Sequence, residues 1–176
     1  MNRTCARVAV GCCIGALAGI GAAWASGIRI NTTPSMPRGL WQVSRTAVVG
    51  RGDAVVVCTP PGLASDIGRA RGYIGPGACP GGTGPLLKIV VAVAGDAVAV
   101  WPRGLAVNGA QIPATARLVR DKAGRELPAL PVGTYAVSPG AAWVTTPAAD
   151  SWDSRYWGPV RLADVLGVAH PVAVWP

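Results

Sequence analysis

Glycine and proline punctuate this chain too often for a body of long helices: 24 glycines and 16 prolines are spread over its 176 residues. In a helix interior glycine costs about 1 kcal/mol and proline about 3 kcal/mol relative to alanine. Short strands and many turns are therefore expected, in an all-β or mostly β body. The length suits one domain with a real core and leaves no room for two well-buried ones.

The longest uncharged apolar run is residues 8–25, VAVGCCIGALAGIGAAWA. Its 18 residues lie near the lower limit for a helix that spans a bilayer. Arg3 and Arg7 precede it, and positive residues on that side predict a cytoplasmic N-terminus with everything after Ser26 across the membrane. Ala23-Trp24-Ala25 before Ser26 also has the small-x-small pattern of a signal-peptide cleavage site. Residues 1–27 thus read as a membrane anchor or a signal segment, and residues 28–176 as an exported domain in both cases.

Cys5, Cys12 and Cys13 belong to the N-terminal segment, leaving Cys58 and Cys79 in the body. An exported pair in a Gly/Pro-rich stretch reads as a disulfide closing the loop 59–78. A metal site is the competing reading, but neither cysteine has a second Cys or His at ligand spacing.

The formal charge is +8, from 16 basic and 8 acidic residues. The arginines are scattered singly, without a basic helix, zinc-finger spacing or aromatic RNA-binding stretch, so no nucleic-acid partner is expected. A positive surface near anionic lipid headgroups accounts for the charge. Only two of the basic residues are lysines, Lys88 and Lys122. Arginine stays protonated at any working pH, whereas a buried lysine can lose its proton and serve as a base.

Along the body, residues 31–39 (NTTPSMPRG) form a turn in which Pro34 and Pro37 bracket Ser35 and rule out a helix. Residues 40–48 and 54–57 read as strands joined into a hairpin through Gly50-Arg51-Gly52-Asp53. Residues 59–85 read as a long loop. Strands are expected at 86–93, 97–101, 134–137 and 142–145, with a tight hairpin at Asn108-Gly109 and further strands at 163–168 and 171–175. Strongly curved sheets of this kind suit a barrel-like closure.

The chemistry narrows by elimination. One histidine, His170, is present, so a Ser-His-Asp triad would rest on it alone, next to Pro171 in an apolar strand. HExxH and Cys/His zinc patterns are absent. A Ser-Lys dyad remains: a serine hydroxyl is inert at neutral pH unless a base removes its proton as it attacks. Moving a lysine from about 10.4 to near 7 costs roughly 4–5 kcal/mol, so the base must sit in a dry place. Leu86, Leu87, Ile89, Val90 and Val91 around Lys88 offer one. Taken singly, Lys88 also reads as an edge-strand lysine in water, and Ser35 as an ordinary turn serine.

Four segments in order decide between these readings. Thr33-Pro34-Ser35-Met36-Pro37 resembles the nucleophile box of the signal-peptidase I superfamily, and residues 51–57 (RGDAVVV) resemble its next strand. Residues 87–96 (LKIVVAVAGD) resemble its lysine box, and residues 151–160 (SWDSRYWGPV) match its last conserved segment. Within the superfamily, residues 31–40 (NTTPSMPRGL), the Cys79-Pro80-Gly81-Gly82 loop and the small size resemble the TraF-type peptidases of plasmid conjugation.

The resemblance implies a signal-peptidase-like fold of curved antiparallel sheets behind one N-terminal transmembrane helix, in the bacterial inner membrane with the catalytic domain in the periplasm. Its implied substrate is a pilin precursor, in some systems closed head to tail, and it implies neither metal nor cofactor. Carried over by position, Ser35 forms an acyl-enzyme, with Lys88 as general base. The Ser35 N–H and the Thr33 hydroxyl form the oxyanion hole, Ser151 orients the lysine, and Asp153 with Arg155 supports it. The superfamily often has serine where Thr33 stands. The Gly-Asp-Asn-Arg lead-in of ordinary signal peptidases is replaced here by Thr146-Pro147-Ala148-Ala149-Asp150. Asp153 and Arg155 also admit a plain surface salt bridge. Two other functions stand beside this one: general removal of signal peptides from exported proteins, and a non-catalytic role in envelope assembly.

Overall fold

The structure, a computed structural model, describes residues 3–45 and 48–175, with side chains described from residue 12 onward in those ranges. The chain opens on helix α1 (Arg3–Ala25), followed by strands β1 (Ile28–Asn31), β2 (Arg38–Ser44) and β3 (Ala54–Val57). A short helix α2 (Leu63–Ala70) and strand β4 (Pro76–Cys79) precede β5 (Leu86–Val93), β6 (Ala97–Trp101), β7 (Gly104–Val107) and β8 (Ala110–Gln111). Strands β9 (Gly133–Ala136) and β10 (Ala141–Thr145), helix α3 (Ser154–Trp157), β11 (Val160–Arg161) and the long β12 (Val165–Trp175) complete it.

Seven strands form one sheet in the order β1-β2-β12-β3-β5-β10-β11, and β8-β7-β6-β9 form a second. Every pairing between them is antiparallel. The mostly β expectation holds. No closed barrel is found: β1 and β11 end the large sheet on opposite edges, and no pairing among the described residues joins them. Both edge strands are short, four residues in β1 and two in β11, which limits the ladder either could offer a partner strand.

The expected hairpin of residues 40–48 with 54–57 is not formed either. The C-terminal strand lies between them: Val168 of β12 opposes both Ser44 of β2 and Val55 of β3. The eleven-residue β12 is long enough to pair with β3 over Val165–Val168 and with β2 over Val168–Trp175. Gly167 permits the close approach, since a Cβ there would lie 2.6 Å from the Ser44 carbonyl oxygen. Pro171, which has no N–H to give, sits where the β2 register shifts at a bulge.

The expected loop 59–85 holds α2 and β4, masked in the sequence by their small residues. Gly68 of α2 packs so tightly on Ile74 that a Cβ would fall 2.5 Å from Ile74 Cδ1. The segment is stapled by a disulfide between Cys58 and Cys79, both buried. Replacing both cysteines by alanine is expected to cost about 2–4 kcal/mol, the range for a loop of this size. Thermal denaturation should then show the melting temperature lowered by roughly 5–15 °C. An unchanged melting temperature would mean that packing alone holds α2.

The hairpin at Asn108-Gly109 is formed as expected, with positive φ at both residues (50° and 83°), the geometry of a type I′ turn. Two cores result. Val55, Val57, Val90, Val144 and Val160 pack on one face of the large sheet, while Ala92 and Trp143 meet Val98, Val100 and Leu105 of the small one. Trp143 is the largest fully buried side chain and joins the two sheets.

In α1, Ile14, Leu17, Ile20 and Trp24 are exposed. Among the described residues, no helix is long and apolar enough to cross a membrane. The span expected over residues 8–25 includes 8–11, whose side chains lie outside the described residues.

Candidate active site

Strand β5 runs between β3 and β10, so Lys88 is on an interior strand and not on an edge. Burial alternates along β5, and the inward series is Lys88, Val90, Ala92 at 2%, 1% and 0% exposure. A lysine thus holds a position whose neighbours are core valine and alanine. Burial pushes its ammonium down to about 8, while the charge of Asp153 raises it and that of Arg155 lowers it. Desolvation wins because the charged form has lost its water.

Ser151 supplies the one hydrogen bond described for the amine: Lys88 Nζ donates to Ser151 Oγ at 2.6 Å. Ser151 precedes Trp152, whose indole N–H donates to the Ala64 carbonyl of α2 at 3.1 Å. The disulfide-stapled α2 therefore backs the segment that carries Ser151.

Behind Ser151 lie Asp153 and Arg155, both fully buried, which excludes the surface salt bridge. The guanidinium meets the carboxylate with two bonds, Nε to Oδ1 and Nη2 to Oδ2, each 2.8 Å. Its remaining donors go to the carbonyls of Ala148 (2.7 Å), Ala149 (3.1 Å), Ser151 (3.2 Å) and Ala114 (3.3 Å). Desolvation opposes the charge on Arg155, but its hydrogen bonds and the charge of Asp153 prevail and hold it above the usual guanidinium range. Arg155 ties residues 148–151 into a fixed arch.

Ser35 stands in the turn between β1 and β2, half-buried. It lines an open cleft of about 430 Å³ with Pro34, Met36, Pro37, Arg38, Pro147 and Ala148, so the Ser35 turn faces the arch that ends at Ser151. Met36 is buried against Trp41 and Ala169, and Leu87 and Ile89, the residues flanking Lys88, pack on the same cluster. Two neighbours in sequence thus tie the Ser35 turn to the strand that carries Lys88. Among the described residues Ser35 Oγ has no hydrogen bond, to Lys88 or any other group.

The Thr33 hydroxyl donates to Asn31 Oδ1 at 2.7 Å, so its single proton is engaged before any substrate arrives. His170 is exposed in β12, opposite Gln42. A second cavity, about 330 Å³, opens against Ser151 between Tyr73, Asp121, Arg125, Trp152 and Tyr156. Asn31 is the partner the Thr33 hydroxyl takes in the folded chain. Its signal in the sequence is an Asn two residues before a Thr at a strand end, the pattern of a side chain that caps its own turn.

The site thus holds a buried lysine whose ammonium burial lowers, a serine hydroxyl bonded to that amine, and a second serine in an open cleft. Residues 3–175 match the family described as signal peptidase, peptidase S26, and the chain belongs to it. It is 42% identical over 161 residues to a probable conjugal transfer protein TraF of Sinorhizobium fredii (strain NBRC 101917 / NGR234), covering 89% of this chain and 82% of that one. It is also 38% identical over 179 residues to a plasmid transfer protein TraF of Escherichia coli, covering 99% and 100% of the two chains. A solved signal peptidase I from Enterococcus faecalis V583 superposes with a TM-score of 0.39 at 17% identity, over 71% of this chain and 98% of that one.

Proposed function

We propose that this chain is a serine endopeptidase of conjugative transfer that cleaves a pilin precursor through an acyl-enzyme on Ser35. Residues 28–176 are its periplasmic catalytic domain and residues 1–27 its inner-membrane anchor, a reading supported by the exposed Ile14, Leu17, Ile20 and Trp24 on α1. The observation that carries the proposal is Lys88: a lysine on an inward core position, hydrogen-bonded to Ser151 and lowered to about 8. A structural lysine gains nothing from such a site, whereas a general base needs it.

In the reaction, Ser35 Oγ attacks the scissile carbonyl as neutral Lys88 takes its proton. The tetrahedral intermediate collapses when Lys88 returns that proton to the leaving amine, and the acyl-enzyme remains. Water then attacks the ester and gives a linear product. If the pilin's own amine attacks instead, the product is a ring. The Ser35 N–H is the backbone donor to the oxyanion, and Thr33 joins it on releasing Asn31.

Two measurements test the proposal together. Co-expression with a conjugative pilin precursor is expected to yield a shortened product by mass spectrometry, and a mass lower by one water than the linear form identifies the ring. With purified full-length protein in detergent, kcat/KM is expected to rise about tenfold per pH unit and to level off near pH 8, because only neutral Lys88 is a base. A profile flat from pH 6 to 9, or no processing at any pH, would overturn it. Processing of unrelated exported preproteins, with the pilin left intact, would assign general signal-peptidase activity instead.

A further inference from the structure

The side chain of Asn31, the last residue of β1, reaches across the whole turn that presents Ser35. Its Nδ2 donates to the carbonyls of Thr33, Met36 and Pro37, each at 3.0 Å. Its Oδ1 accepts from Thr33 N at 3.2 Å and from Thr33 Oγ1 at 2.7 Å. The orientation is unambiguous, since the reverse would set the amide oxygen against three carbonyls. Two protons serve three acceptors, so one bond is shared, and all the bonds run to backbone or to Thr33. A turn holding Pro34 and Pro37 has few N–H groups with which to close on itself. One amide supplies the missing bonds from outside the turn.

Thr33, Met36 and Pro37 surround Ser35 on both sides. From this arrangement we infer that Asn31 is a positioning residue: it fixes the Thr33–Pro34 peptide before Ser35 and the Met36–Pro37 and Pro37–Arg38 peptides after it, so that the short stretch between them presents Oγ and N–H to the cleft, and it holds the Thr33 hydroxyl until an oxyanion takes it over. The inference rests on Ser35 being the nucleophile. A misplacement of about 1 Å in reacting groups costs on the order of 100-fold in rate. Asn31 touches neither the cleft nor the core, so its loss should be felt in the chemical step and not in substrate binding or folding.

The test uses purified full-length protein in detergent and a precursor peptide that the unmodified chain cuts. Asn31→Ala is expected to lower kcat about 100-fold with KM changed less than threefold, and to leave the melting temperature within a few degrees. Asn31→Asp keeps the acceptor for Thr33 but sets a carboxylate against three carbonyls, and should be impaired at least as much. Asn31→Ala combined with Thr33→Val should cost less than the product of the two single losses, because part of each effect runs through the shared bond from Thr33 Oγ1 to Asn31 Oδ1. Unchanged kcat in Asn31→Ala, a fall in kcat matched by loss of folded protein, or fully additive effects with Thr33→Val would each overturn the inference. Ser35→Ala runs alongside: if it stays active, the nucleophile reading has failed, and if it is dead while Asn31→Ala is normal, only this inference has.

Discussion

Ser35→Ala and Lys88→Met are each expected to lower processing by at least about 10³-fold, since members of a catalytic unit fail together. The two should differ in stability, and that difference identifies the lysine as a base. Ser35 is half-buried and its hydroxyl unbonded among the described residues, so Ser35→Ala should leave the melting temperature close to that of the parent. Lys88 in the folded protein titrates near 8, below its ordinary 10.5. The unfolded chain therefore holds that proton more tightly, and stability from this group rises with pH between the two values. Below about pH 8 the folded state carries the whole penalty, on the order of 3 kcal/mol at 1.36 kcal/mol per unit.

Lys88→Met removes the penalty and fills the space with a flexible apolar chain. It also leaves Ser151 Oγ without its partner, which costs about 1–3 kcal/mol. The net expectation at pH 7 is a variant at least as stable as the parent, up to about 2 kcal/mol more so, and inactive. At pH 10 the gain should vanish. A Lys88→Met protein that processes precursor, or one destabilised at pH 7 and inactive only because it is unfolded, would sink the assignment. The stability–activity opposition is what a functional lysine in a core position predicts, and a salt-bridging or surface lysine predicts neither half of it.

Much of this was legible in the chain. Strands β3, β5 and β6 fall on the residues expected because their alternation is strict and their ends carry Gly or Asp turns. Lys88 stood out because only one other lysine is present. What escaped were features set by partners remote in sequence. Nothing local says that β12 inserts between β2 and β3. That outcome depends on Gly167 meeting Ser44 across more than a hundred residues of chain. Helix α2 was hidden by Gly68, whose value is its close contact with Ile74. The resemblance pointed to Asp153 and Arg155 as a supporting pair and the structure buries both, but two residues of spacing alone do not tell how much of the chain closes over them. The Thr33 hydroxyl looked free for an oxyanion, since its bond to Asn31 depends on how the Pro34–Pro37 turn folds back.

Arg155→Met is expected to be the most damaging single change in the body. It strips the Asp153 carboxylate of its partner in a fully buried site, for which losses of about 3–5 kcal/mol are usual. It also leaves the carbonyls of Ala114, Ala148, Ala149 and Ser151 without their donor. Thermal denaturation should show the melting temperature down by roughly 10–20 °C. Asp153→Leu combined with Arg155→Met removes both charges and should recover part of that stability. It should not recover processing, because the arch 148–151 that holds Ser151 is still untied. In variants that keep the fold, the pH profile separates the electrostatic from the mechanical role. Arg155 lowers the Lys88 ammonium and Asp153 raises it. Loss of Arg155 should therefore move the rise in kcat/KM to higher pH, and Asp153→Asn should move it to lower pH. Shifts in the same direction, or a stability loss under 1 kcal/mol for Arg155→Met, would show that this pair neither supports the arch nor tunes the base.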